Sequence, residues 1–397
     1  MNANQVGKLP YSIISTCICC AVLILYCALY KKGKRMHFED VVLAGILIVL
    51  SSIRYGVGSD YFRYLESSFR WARMFETNIR SLFSADVISQ YSFEIGYKIL
   101  SVLSHKISQS PYTIFWLVSV VIYIPLIVYC RKNTKDARFA IAVYLLFGYW
   151  GMSLNVIGQS VSMIYVLYLE NAIEQKKYIY AVFFALCAVA FHTTAIVAVI
   201  IVILAHLPFG KNFLNPTKVN LLKMIIIGIV ARGGTELLRS ILSRNMYTAR
   251  YARYLSTGVS EIGRRIYMMI GACIETILVI LIVFMVVKRL DGWDTNNQKL
   301  QRFASIVMIG IPFGIVGISR SDWLWLSIRF AEYFFVFLIA LIPEMLDISP
   351  VENERRGIIN IDRKKLPFWV TIIAWHAIFA VIMFNNNQFV LDTYLFK

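Results

Sequence analysis

The segment YSIISTCICCAVLILYCALYKKGKR, residues 11–35, decides the fold: twenty residues without a charge run directly into four cations. An apolar run of about 20 residues is what a helix needs to cross the hydrocarbon of a bilayer, and a helix satisfies its own backbone polar groups there. A basic cluster abutting such a run marks its cytoplasmic flank. Only Lys8 stands in the place of a basic n-region, and no small-residue cleavage site follows. The segment therefore reads as a retained span and not as a signal peptide.

The rest of the chain repeats this design. Its 397 residues are 58% hydrophobic and 16% charged, with a mean hydropathy of +0.64. Apolar blocks at 11–30, 38–54, 111–130, 138–153, 156–173, 178–192, 193–208, 219–232, 266–288, 303–319, 323–345 and 368–385 predict an all-α polytopic membrane protein. About 12 transmembrane helices (roughly 11 to 14) are expected, in one integral membrane domain over residues 1–397. Residues 93–110 are half-apolar and carry Glu94, Lys98, His105 and Lys106, which predicts an interfacial or re-entrant helix. Lys31–Arg35, Arg131–Arg138, Lys176-Lys177, Lys211–Lys218, Lys288–Arg302 and Arg355–Lys365 all fall on one side if 178–208 crosses twice. That side is cytoplasmic and both termini lie outside.

The net charge of +17 has no soluble domain to carry it, which excludes nucleic acid and favours anionic lipid or phosphate. All seven cysteines fall in or beside apolar blocks and read as packing residues. No Cys/His spacing suggests zinc, and no Asp-x-Asp pair suggests a metal-dependent nucleotide-sugar mechanism. Two long extracytoplasmic segments are expected: 54–110, holding the interfacial helix, and the basic loop 233–265. Residues 54–92 and 233–265 together contain eleven Arg and no Lys. A guanidinium grips phosphate oxygens with two parallel donors, whereas Lys acts as a point charge. Six acids in these loops pair with part of that charge, but 233–265 has six Arg against Glu236 and Glu261 and stays basic. Within it, Tyr247, Tyr251 and Tyr254 share one helical face beside Arg250 and Arg253. That face suits a ligand with sugar rings and phosphates, or equally a helix lying on headgroups.

The polar residues of the spans gather at their predicted outer ends. Arg54, Asp60 and Tyr61 follow the second span, and Asn155 and Gln159 sit at an outer turn. His192 occupies the next outer turn, and Arg320, Asp322, Arg329 and Glu332 surround the start of a later span. Ionisable groups at such depth usually face a bundle interior, so a cavity open to the outer leaflet is expected. Arg329 and Glu332, at i and i+3, also fit a local ion pair.

These motifs resemble the EpsG/Wzy-type polysaccharide polymerases. The matching residues are Arg54-Tyr-Gly-Val-Gly-Ser-Asp60-Tyr61 with Tyr64, Phe93-Glu-Ile-Gly-Tyr97, Asn155-Val-Ile-Gly-Gln159, Phe191-His192-Thr-Thr and Ser327-Ile-Arg329-Phe-Ala-Glu-Tyr333. The resemblance implies a GT-C-like membrane fold and a glycosyltransferase of the bacterial cytoplasmic membrane with its site facing outward. Such an enzyme joins undecaprenyl-diphosphate-linked repeat units into O-antigen (lipopolysaccharide) or exopolysaccharide, without cofactor or metal. An O-antigen-ligase-like transferase and a lipid-linked oligosaccharide flippase or transporter are the alternatives. A chain-length regulator and a flippase are the protein partners it implies. Asp60, slightly ahead of His192, is the candidate base. Arg54, Tyr61, Tyr64, Gln159, Arg239, Tyr247, Arg250, Tyr251, Arg253, Arg320, Arg329 and Tyr333 are candidates for substrate binding. The family commonly has Arg immediately before the Gln, where this chain has Gly158; that contact is absent here or comes from another Arg.

Overall fold

The computed structural model describes residues 8–54, 61–66, 68, 94–207, 215–233, 262–292, 297–319 and 321–346. Every regular element among the described residues is a helix. The chain divides into two units, residues 1–199 with 348–397, and residues 200–347.

In the first unit α1 (Lys8–Leu29) and α2 (Phe38–Ser52) are followed by α3 (Ile95–Ile107) and α4 (Thr113–Asn133). Next come α5 (Ala137–Leu146), α6 (Tyr149–Asn155), α7 (Ile157–Glu174), α8 (Tyr178–Phe191) and the start of α9 (Ala195–His206). Helix α2 begins with a capping box at His37 and Asp40, and it runs antiparallel to α4. Ser52 Oγ donates to the Phe115 carbonyl (3.3 Å) at one end of this pair, and Arg131 meets Asp40 at the other. That second end is a buried charge knot. Arg131 grips both Asp40 oxygens (2.7–3.0 Å) and Glu39 (3.0 Å), donates to the Lys31 carbonyl (2.6 Å), and lies 4.4 Å over the Tyr30 ring. Tyr26 also donates to Asp40 (2.9 Å), so the knot fastens α1, the 31–35 connector and α4 together.

The predicted span 138–153 is broken. Gly148 adopts φ +91°, a backbone region open to glycine at little cost, and α5 and α6 meet at 54°. The bend carries Trp150 and Ser153 into a buried hydroxyl network. Tyr123 OH bonds Ser51 Oγ (2.6 Å) and Ser153 Oγ (2.8 Å), and Trp150 Nε1 donates to Ser51 Oγ (3.2 Å). A second break at Val156 separates α6 from α7. Helices α7 and α8 are antiparallel and very close: Ser162 Oγ donates to the Ala188 carbonyl (2.7 Å), and Gly158 lies against the Phe191 carbonyl. Two small residues four apart permit such an approach.

The second unit holds most of α9, then α10 (Lys218–Gly233), α11 (Ile262–Gly292), α12 (Gln298–Ser319), α13 (Ser321–Phe335) and α14 (Leu338–Met345). Helix α12 is its centre, because Gly310 admits Phe335 and Gly314 admits Thr276 against its backbone. Phe313 stacks on Phe334 (5.7 Å, 15°) on the same helix face.

Large apolar side chains such as Ile179, Phe183, Leu186, Ile226, Val230, Leu281 and Phe284 are exposed along helix faces, as lipid-facing surfaces require. Among the described residues three helices qualify as spans by length and apolarity, Thr113–Asn133, Ile270–Lys288 and Gln298–Ile318, with a fourth if the bent α5–α6 pair is one span. Helices α8 and α9, at about 21 and 18 Å, are each shorter than a hydrocarbon core of about 30 Å. They meet at His192-Thr193-Thr194. The expected span 323–345 is divided between α13 and α14 by a turn at Val336-Phe337, and the expected span 368–385 lies outside the described residues.

Candidate active site

Arg54 leaves the end of α2 and is buried, with its guanidinium 4.8 Å from the Phe115 ring centroid and 6.0 Å from that of Tyr61. Tyr61, also buried, stacks on Phe115 at 4.8 Å and 17°. Aromatic faces of this kind attract a cation through the ring quadrupole. Residues 61–66 form a helical turn, which brings Tyr64 within 5.1 Å of the Tyr97 ring; Tyr97 OH donates to the Tyr64 carbonyl (2.9 Å). Burial pushes the Tyr97 phenol well above its ordinary range, with the Tyr64 neighbour adding to the rise and the Arg54 charge opposing it.

Tyr97 belongs to the first turn of α3, and the neighbouring residues of that turn face a second feature. Glu94 Oε1 lies 3.0 Å from Nδ1 of His192, with side-chain exposures of 12% and 15%. Gly96, between Glu94 and Tyr97, presses on Phe191: a Cβ there would lie 2.9 Å from the Phe191 ring. Lys98 is buried one turn after Glu94; burial lowers its ammonium below the usual lysine range and Glu94 opposes that shift. Three residue types thus converge on the start of α3: a buried guanidinium with tyrosines, a carboxyl–imidazole pair, and an ammonium.

This chain belongs to the EpsG family. The sequence profile of that family matches residues 40–396, which spans both units and every motif that carried the resemblance. Comparison with curated proteins and with solved structures returns no match. Membership makes the chain a polysaccharide polymerase-type membrane protein, glycosyltransferase-like at the level of the family.

Within the EpsG motifs the structure assembles Arg54, Tyr61 and Tyr64, and it pairs His192 with a residue that sequence reasoning had not singled out, Glu94. The signal for Glu94 was its place in Phe93-Glu-Ile-Gly-Tyr97; nothing in the sequence named its partner. Gln159 and Asn155 are buried on either side of the Val156 break. Gly158 has a packing reason: a Cβ there would lie 2.7 Å from the Phe191 carbonyl oxygen. The Arg common in EpsG relatives at this position does not fit so close an α7–α8 contact.

Arg329 and Tyr333 lie in the second unit on α13, with Tyr333 fully buried. Glu332 lies beside Glu275 of α11, and both carboxyls are buried. Asp60, Arg239, Tyr247, Arg250, Tyr251, Arg253 and Arg320 lie outside the described residues.

Proposed function

We propose that this EpsG protein is a polysaccharide polymerase that joins undecaprenyl-diphosphate-linked repeat units on the outer face of the bacterial cytoplasmic membrane, without a metal. The observation that carries the reading is the first turn of α3, where Tyr97 packs on the Arg54–Tyr61–Tyr64 group while Glu94 holds His192. A polymerase needs both functions side by side.

In this reading the hydroxyl of one lipid-linked unit attacks the anomeric carbon of a glycan on a second lipid. The new C–O bond forms as the bond to the diphosphate breaks, and the electron pair leaves on the diphosphate oxygen. Arg54 stabilises the charge that develops there, together with arginines of the outer loops. Sugar faces stack on tyrosines of the Tyr61–Tyr64 turn, while Gln159 holds hydroxyl or phosphate oxygens. The hydroxyl proton passes to His192, whose partner favours it over Asp60 for this role. Much of the remaining acceleration comes from holding two lipids in line.

Purified protein incubated with lipid-linked repeat units tests the proposal by gel. A ladder of lengths is the expected result. One addition onto a different lipid acceptor identifies a ligase instead, and no covalent change identifies a transporter.

A further inference from the structure

We infer that Glu94 is the positioning residue of a Glu94–His192 dyad, fixing the imidazole so that Nε2 faces the acceptor hydroxyl with its lone pair. This rests on the polymerase reading of the same site. The geometry is over-determined at the histidine. His192 caps the end of α8 in an extended conformation, its N–H donates to Ala188 O (3.0 Å), and its carbonyl accepts from Ala195 N (3.0 Å). The preceding residue, Phe191, is wedged between Gly96 and Gly158, where a Cβ on either would come within 2.9 Å of it. The backbone that carries the ring is therefore packed on both sides, and the side-chain torsions remain to be set.

Glu94 sets them. It occupies the N-cap of α3 yet makes no side-chain cap bond. Ser, Thr, Asp or Asn serves that position better, because a short side chain reaches the free amides of the first turn. The longer Glu reaches across to Nδ1 of His192 at 3.0 Å. A carboxylate only accepts hydrogen bonds, so Nδ1 carries the hydrogen and Nε2 the lone pair. When the acceptor oxygen bonds the anomeric carbon and the diphosphate departs with its electron pair, the hydroxyl proton moves to Nε2. The resulting imidazolium is held by the Glu94 carboxylate, and the proton then leaves to water.

The test compares wild type, Glu94→Gln, Glu94→Asp, His192→Gln and the Glu94→Gln/His192→Gln double variant in two assays. The first is the single-turnover rate with both lipid substrates saturating. Glu94→Gln is expected to lower it on the order of 10²-fold with little change in KM, since loss of an oriented base costs about 10²- to 10⁴-fold. The double variant is expected to be no slower than His192→Gln alone, and Glu94→Asp to recover part of the rate. The second assay is carbethoxylation of His192 by diethyl pyrocarbonate, read by peptide mass spectrometry about two units above the ordinary histidine range. Labelling is expected to slow several-fold in Glu94→Gln. A wild-type rate in that variant, a loss that adds in full to His192→Gln, or unchanged labelling overturns the dyad. If Glu94→Gln does not fold, the same comparisons on Glu94→Asp decide. If the wild type transfers no glycan, the polymerase reading fails, while the labelling still decides whether Glu94 orients His192.

Discussion

Gly158 meets the carbonyl oxygen of Phe191 at a spacing that leaves no room for a side chain: a Cβ built there lies 2.7 Å away, against backbone that cannot swing aside. The contact explains how α7 and α8 come close enough for Ser162 to reach the Ala188 carbonyl, and it fixes the residue next to His192.

Gly158→Ala is therefore expected to destabilise the protein by about 1–3 kcal/mol through overpacking. Gly158→Arg, which restores the residue common in the family, is expected to lose folded protein and not to gain activity. Thermal unfolding in detergent and the yield of monodisperse protein measure both. A Gly158→Arg variant as stable as wild type shows that the two helices do not depend on this approach.

Arg54 gives the second prediction. Lysine keeps the charge but loses the guanidinium contact with the Phe115 ring and the paired donors. Arg54→Lys is expected to cut polymer formation at least about tenfold at normal protein levels, one lost transition-state contact of roughly 1.4 kcal/mol. A ladder of normal length and intensity would remove Arg54 from the phosphate contacts.

The Arg131 knot gives the third. Removing the guanidinium leaves Glu39 and Asp40 buried without their cation, an uncompensated charge that costs about 3–5 kcal/mol. Arg131→Ala is expected to express poorly and melt early. The triple variant Glu39→Gln/Asp40→Asn/Arg131→Met, which removes all three charges, is expected to recover much of the loss. Equal damage in both variants shows that the charges matter for something other than their mutual balance.

Topology gives the fourth. The lysine distribution predicts that cysteines introduced at Ser84 and Ser256 react with an impermeant reagent in intact cells, while one at Asn297 does not. Cysteines at Lys176 and Asn215 are both expected to stay protected if 178–208 crosses twice. Protection at Lys176 with labelling at Asn215 means that α8 and α9 form one broken crossing, and every later segment changes sides.

The all-helical class is legible, because apolar blocks end in charges or in a turn that hydropathy registers; the expected dozen crossings compare with three, or four with the bent pair, among the described residues. The division of 138–153 is not legible. Hydrophobicity runs unbroken through Phe147-Gly-Tyr-Trp150, and only the left-handed backbone at Gly148 marks the bend. The closeness of Arg54, Tyr61 and Tyr64 is legible because they crowd into one motif. Glu94 was passed over because its partner is 98 residues away, and a lone Glu at the start of a half-polar helix reads as an interfacial charge. Glu39, Asp40 and Arg131 were hidden for a related reason: each flanks an apolar block, where headgroup contact is the ordinary expectation. In the fold they meet one another instead. Glu275 also neighbours Glu332, and its position on another helix is something no local spacing reveals.

The antiparallel α2–α4 pair carries a buried arginine at each end, Arg54 beside Phe115 and Arg131 on Asp40. The helical rise from Phe115 to Arg131 is about 24 Å, a few ångströms less than a hydrocarbon core of about 30 Å. Buried contacts lock the two helices together at both ends, so they are expected to answer a change of bilayer thickness as one rod, and transfer rates in bilayers of increasing acyl-chain length measure whether that response reaches the site.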